Sequence, residues 1–154
     1  MLKLIHGLAS TLLAATLLAG VSSAAAVLVP MKGKATGALT SFVPGHLSFA
    51  ATGTATHVGR YEEIGEADFD ALGNVSNGHF TYVSIDGATL EGVFSGTFAP
   101  LPTGQVQFVV TATYVLGTGR LAGVTGQTEI VALADGVGAG APIRYVGRGS
   151  LAIP

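Results

Sequence analysis

The residues best suited to chemistry fall in one stretch, Arg60-Tyr61-Glu62-Glu63-Ile64-Gly65-Glu66-Ala67-Asp68-Phe69-Asp70. In a strand, successive side chains point to opposite faces. Arg60, Glu62, Ile64, Glu66, Asp68 and Asp70 then share a solvent face, whose acids keep an outer surface soluble. His57, Tyr61, Glu63 and Phe69 share the other, which points toward the interior. A carboxyl in that position is desolvated and its pKa rises unless Arg144 or another base pairs with it. Such a group can take or give a proton. The competing reading puts Glu63 at the rim of the fold or in a cross-strand ion pair, since structural ion pairs perturb pKa values too.

His79 depends on register. A strict two-residue turn at Asp86-Gly87 places His79 opposite Phe94 on the apolar face and sends Phe80 and Tyr82 to the other; one residue of slip reverses this. His57, His79 and Glu63 pointing inward together would offer imidazole and carboxylate ligands. No His-x-His or His-x-x-x-His spacing accompanies them, so neither a metal nor any other cofactor is expected. Tyr114 and Arg144 complete the set of candidate ligand-binding residues, with His57, Tyr61, Glu63 and His79.

These residues must be positioned by a chain of 154 residues with 23 Gly, no Cys, no Trp and 10% charged residues. The absence of cysteine excludes disulfides, thiolate metal clusters and a Cys nucleophile. A net charge of −2 with scattered Lys and Arg argues against a nucleic-acid partner, which requires a basic stripe. The apolar residues are front-loaded: Lys3, then Leu8 to Val21, then Ser22-Ser23-Ala24-Ala25-Ala26. That order reads as a secretory signal peptide over residues 1–26. Its apolar run is shorter than the roughly 18 to 20 residues needed to span a membrane. Periplasmic or extracellular localisation is therefore expected for a single domain over residues 27–154.

That domain retains 21 of the 23 glycines. Collagen is excluded by the lack of a three-residue period, and disorder by the recurrence of Val, Ile, Leu, Phe and Tyr. Alternating runs point instead to strands. Gln105, Gln107, Val109, Thr111 and Thr113 oppose Val106, Phe108, Val110, Ala112 and Tyr114. Strands are expected at about 33–40, 47–55, 57–70, 78–85, 88–98, 104–116, 126–134 and 142–152, with a hairpin at Asp86-Gly87. No later segment has a helical stripe, and only Arg120 to Val124 suggests a single turn. The fold class is all-β, a small closed antiparallel barrel of about eight strands. Gln105, Gln107, Thr111, Thr113, Gln127 and Glu129 on the outer side argue against insertion in a membrane, which needs an unbroken apolar band.

Tyr114-Val115-Leu116-Gly117-Thr118-Gly119-Arg120-Leu121-Ala122-Gly123-Val124-Thr125-Gly126 resembles the strand, Gly-Thr-Gly turn and connector of the allene oxide cyclase-like and dirigent-like barrels. Thr56-His57-Val58-Gly59-Arg60-Tyr61 resembles a segment of small exported bacterial members of that superfamily. The resemblance implies an eight-stranded antiparallel barrel, often trimeric, with an apolar lumen. Both motifs are structural, so they carry a fold and not a reaction.

Three functions fit this reading. The first is a noncatalytic exported barrel holding a small apolar or aromatic ligand. The second is an isomerase, cyclase or stereo-directing protein of the resembled type, with Glu63, His57 or Tyr61 as acid, base or donor. The third is a surface interaction protein in which outer residues Val93, Val109, Val131 and Leu133 form an oligomer interface. Gly117-Thr118-Gly119 lacks the ending of a phosphate loop, and Ser84 and Ser95 lack a nucleophile elbow. Gly136 to Pro142 reads as a connector at one end of the barrel, or a lid over it.

Overall fold

A computed structural model describes residues 25–154; the expected leader lies outside the described residues but for Ala25 and Ala26. Eight antiparallel strands close into a barrel in chain order: β1 (Val27–Val43), β2 (His46–Ala55), β3 (Gly59–Phe69), β4 (Asn74–Ser84), β5 (Thr89–Pro100), β6 (Val106–Gly117), β7 (Thr125–Ala134) and β8 (Pro142–Ile153). β8 pairs with β1 from Val27↔Ile153 to Ala38↔Pro142, so no strand edge is left to template aggregation. The expected strands all form. β1 begins earlier and runs longer than its alternation suggests, and the one helical piece among the described residues is a short 3-10 turn at Gly119–Leu121.

Bulges interrupt the ladders between Leu39 and Ser41, between Val75 and Gly78, and between Glu91 and Gly92. Such insertions bend strands and increase twist, which closure of a small barrel requires. Glycine makes room inside. A Cβ on Gly65 would collide with the Phe49 ring, with Cε1 at 2.7 Å. One on Gly92 would meet the Phe80 ring and, at 2.6 Å, the Thr113 carbonyl oxygen. Two large rings thus lie over bare backbone on a neighbouring strand.

The two ends of the barrel differ. At one end, Val58 of the β2–β3 turn and Leu121 and Val124 of the β6–β7 connector pack with Leu90 and Leu151, all nearly inaccessible to solvent. Arg120 fastens this end: its Nη1 donates to His57 O at 2.7 Å, its Nη2 to Val58 O, and its Nε to Asp86. The other end, the mouth, is framed by the turns at Pro44-Gly45 and Ala71-Gly73, by Leu101–Gln105, and by the loop from Asp135 to Ala141. That last loop is a connector tied to β1, since Gly140 N donates to Leu39 O and Leu39 N to Ala141 O.

Candidate functional site

β3 places Tyr61, Glu63 and Ala67 inward and Arg60, Glu62, Ile64 and Glu66 outward, as its alternation indicates. Glu63 stands between Ala51 of β2 and Tyr82 of β4 in the ladder. It is the one acidic or basic residue buried among the described residues, at 5% exposure. Burial pushes its carboxyl pKa up from 4.5 to about 8, because the lumen solvates the anion poorly. Its Oε2 has no hydrogen-bond partner.

Below Glu63, toward the closed end, the four tyrosines form a cluster. Tyr61 stacks on Tyr82 with ring centroids 4.2 Å apart, and Tyr82 lies 6.2 Å from Tyr114. The hydroxyls of Tyr61 and Tyr145 approach to 3.5 Å, and Tyr114 bonds to Thr128 Oγ1 at 3.0 Å. Thr128 also reaches Met31 Sδ at 3.4 Å. Burial raises the phenol pKa of Tyr61, Tyr82 and Tyr114, so they stay protonated donors. The space left among them is about 10 Å³, too little for more than a single water.

Above Glu63, toward the mouth, the lumen is lined with phenylalanine. Phe49, Phe80, Phe94 and Phe108, with Leu39, Leu47, Val75, Val110, Ile130, Ala132 and Ile143, surround a hollow of about 70 Å³. Glu63 and Tyr145 contribute its only polar side chains. Nearer the turns, Phe42 stacks on Phe69 at 4.8 Å, Phe69 meets Phe98 edge-on at 5.5 Å, and Phe98 lies 5.8 Å from Phe108. A larger hollow of about 760 Å³ lies on the outer wall beside Lys34, Thr52, Arg60 and Glu62. It is open to solvent and its charged residues are exposed, so it offers little desolvated surface for recognition.

The structure brings Tyr61, Glu63 and Tyr114 together in the lumen and leaves the other three candidates outside. His57 is in the β2–β3 turn at φ 67°, exposed, because β3 begins only at Gly59 and the strand alternation does not extend back to it. His79 is exposed, and Phe80 and Tyr82 take the lumen. The hairpin pairs Val83 with Thr89 and Tyr82 with Leu90, one residue away from the strict two-residue register. Its loop runs over three residues, with Gly87 N donating to Ser84 O and Gly87 at φ 83°, the form of a type I turn closed by a left-handed residue. Asp86 shapes that loop by accepting from Ser84 and Arg120, which hold its pKa down at about 2. Arg144 points outward between inward Ile143 and Tyr145 and pairs with Asp135 at 3.1 Å, so it gives Glu63 no counter-charge.

Phe49, Phe80, Phe94 and Tyr145 were not singled out by sequence as site residues. The face of Phe80 turns on the hairpin register, and Tyr145 of β8 reaches the neighbourhood of Glu63 only through closure of the barrel between β8 and β1. Compared with family models, curated proteins and solved structures, the chain matches none.

Proposed function

We propose that the protein is an exported β-barrel that holds a small apolar or aromatic ligand in the mouth half of its lumen. One observation carries this reading: a buried carboxyl with an unpartnered oxygen at the floor of a phenylalanine-lined hollow. Ligand sites are concave and mainly apolar, with a few polar groups that fix orientation. A volume of about 70 Å³ is several times the roughly 10–15 Å³ that a single water needs. A small group enters with the rings where they stand, and a larger body enters by turning Phe rings aside. The hydroxyls of Tyr61 and Tyr145 are engaged with each other and that of Tyr114 with Thr128; this favours binding over an isomerase or cyclase reaction. The apolar run from Leu8 to Val21 supports export, and the resemblance to the allene oxide cyclase-like and dirigent-like barrels agrees with a ligand-holding lumen.

Native mass spectrometry of the protein purified from its own host tests the proposal. The expected result is a mass above that of the chain by one small apolar molecule, lost on denaturation. A bare mass, together with no thermal stabilisation by any of a set of small aromatic compounds, contradicts it.

A second reading, association through the outer wall, draws on Val109, Val131 and Val146. These are cross-strand neighbours on β6, β7 and β8 that point outward, and Val146 is 55% exposed. Adjacent apolar side chains of this kind suit contact with another copy. Sedimentation velocity of Val146→Lys beside the unaltered protein checks it: a shift from oligomer to monomer is expected, and a monomer in both rules it out.

A further inference from the structure

Buried carboxyls in folded proteins are normally met by a cation or by hydrogen-bond donors. The lumen supplies neither to Glu63 Oε2. Every Lys and Arg among the described residues is exposed. His57 and His79 are exposed, and His46 at the mouth is bound to Asp68 at 2.9 Å. The titratable groups that share the lumen are Tyr61, Tyr82, Tyr114 and Tyr145, all part of the tyrosine cluster. The missing partner of Oε2 is therefore a group that the described chain does not contain.

Two further features bear on its charge. Phe49, Phe80, Phe94 and Phe108 line the hollow into which the carboxyl projects, and aromatic rings attract a cation by their quadrupoles. On the outside of the mouth half, Glu66, Asp68, Asp70 and Asp135 outnumber the one arginine, Arg144. Such an acidic excess raises the local concentration of cations. We infer that the ligand is a small organic amine, held as its ammonium ion with the nitrogen on Glu63 and its apolar body among the Phe rings toward the mouth. The hollow of about 70 Å³ admits an ammonium group and its first carbons, and the rest of the molecule reaches toward the rim. A neutral alcohol or carbonyl satisfies one hydrogen bond but gains nothing from the rings as cation hosts. On binding, the carboxyl gives its proton to solvent and pairs with the ammonium as carboxylate.

The inference rests on the lumen being the binding site, and calorimetric titration at pH 7 with benzylamine and benzyl alcohol, near-equal in size, separates the two. Benzylamine is expected to bind at least about tenfold more tightly than the alcohol, as a charge-assisted bond is roughly twice as strong as a neutral one. It should release about one proton per molecule bound, seen as a dependence of the heat on buffer ionisation, and the alcohol none. Glu63→Gln should bind both compounds equally, and its retained binding of benzyl alcohol shows that the barrel is intact. Glu63→Leu serves the same comparison should the Gln variant fail to fold. Equal or tighter binding of the alcohol to the unaltered protein overturns the amine assignment and leaves the lumen reading standing. A preference for the amine that survives loss of the carboxyl also overturns it, since the cation would then sit elsewhere. Binding of neither compound overturns the lumen reading and the amine assignment together.

Discussion

The two halves of the lumen are made from different aromatic residues and are filled to different degrees. Toward the closed end, tyrosines bond to one another and to Thr128, aliphatic side chains cap them, and about 10 Å³ remains. Toward the mouth, phenylalanines offer no hydrogen bonds, about 70 Å³ remains, and the one carboxyl at the boundary has an unpartnered oxygen. A single continuous sheet can therefore build a tight, self-satisfied plug and a receptive cup one above the other. The difference is set by which inward positions carry a hydroxyl and by how closely their neighbours approach.

The largest effect should come from opening the plug. Leu90→Ala removes a side chain with 0% exposure and should cost about 2–5 kcal/mol in urea unfolding, the range for a core Leu→Ala cavity. A cost well under 1 kcal/mol would mean that the closed half is no tighter than the mouth.

Next comes the carboxyl between the halves. Folded Glu63 keeps its proton up to about pH 8, whereas the unfolded chain releases it near 4.5. Between those values the folded state binds more protons, so stability falls as pH rises through the window, by an amount on the order of a few kcal/mol. Glu63→Gln should flatten the decline and exceed the parent in Tm at pH 8, as measured by thermal scans from pH 5 to 9. Asp68, Asp70, Asp86 and Asp135 have lowered pKa values from hydrogen bonds. Their contribution is present above their ordinary pKa and lost as pH falls below it, so it acts at the acid end and does not mask the Glu63 effect.

A smaller change is expected at the ring seats. Gly92→Ala drives a methyl against the Phe80 ring and the Thr113 carbonyl. It should destabilise by about 1–3 kcal/mol, as overpacked cores do, and weaken binding of small aromatics by displacing Phe80 from the hollow. The smallest effect belongs to residues outside the lumen. His57→Ala, His79→Ala and Arg144→Ala should leave binding of benzyl compounds within about twofold of the parent in the same titrations, in keeping with their exposure. A large loss in any of them would move the site to the outer wall.

Much of this arrangement is legible in the sequence, and the failures have physical causes. The eight strands and the inward parity of Tyr61, Glu63, Val110 and Tyr114 follow from alternation bounded by glycine. The histidines mislead because parity survives only within an unbroken strand. His57 precedes the start of β3, and the extra loop residue at Ile85-Asp86-Gly87 reverses the face of His79, Phe80 and Tyr82 together. Arg144 could have been placed correctly, since Ile143 and Tyr145 beside it mark the inward face. The split between a phenylalanine half and a tyrosine half lies deeper. In an antiparallel barrel the mouth takes the ends of β1, β3, β5 and β7 and the beginnings of β2, β4, β6 and β8, so residues that meet there are scattered along the chain.

The central claim is that Glu63 lies unpaired and desolvated where the two halves meet. Following the Glu63 carboxyl carbon by NMR across pH, in the protein freed of any ligand, tests it most directly. A midpoint near 8 is the predicted result. A midpoint near 4.5, the ordinary value for the residue, would show a solvated or paired carboxylate and contradict the account.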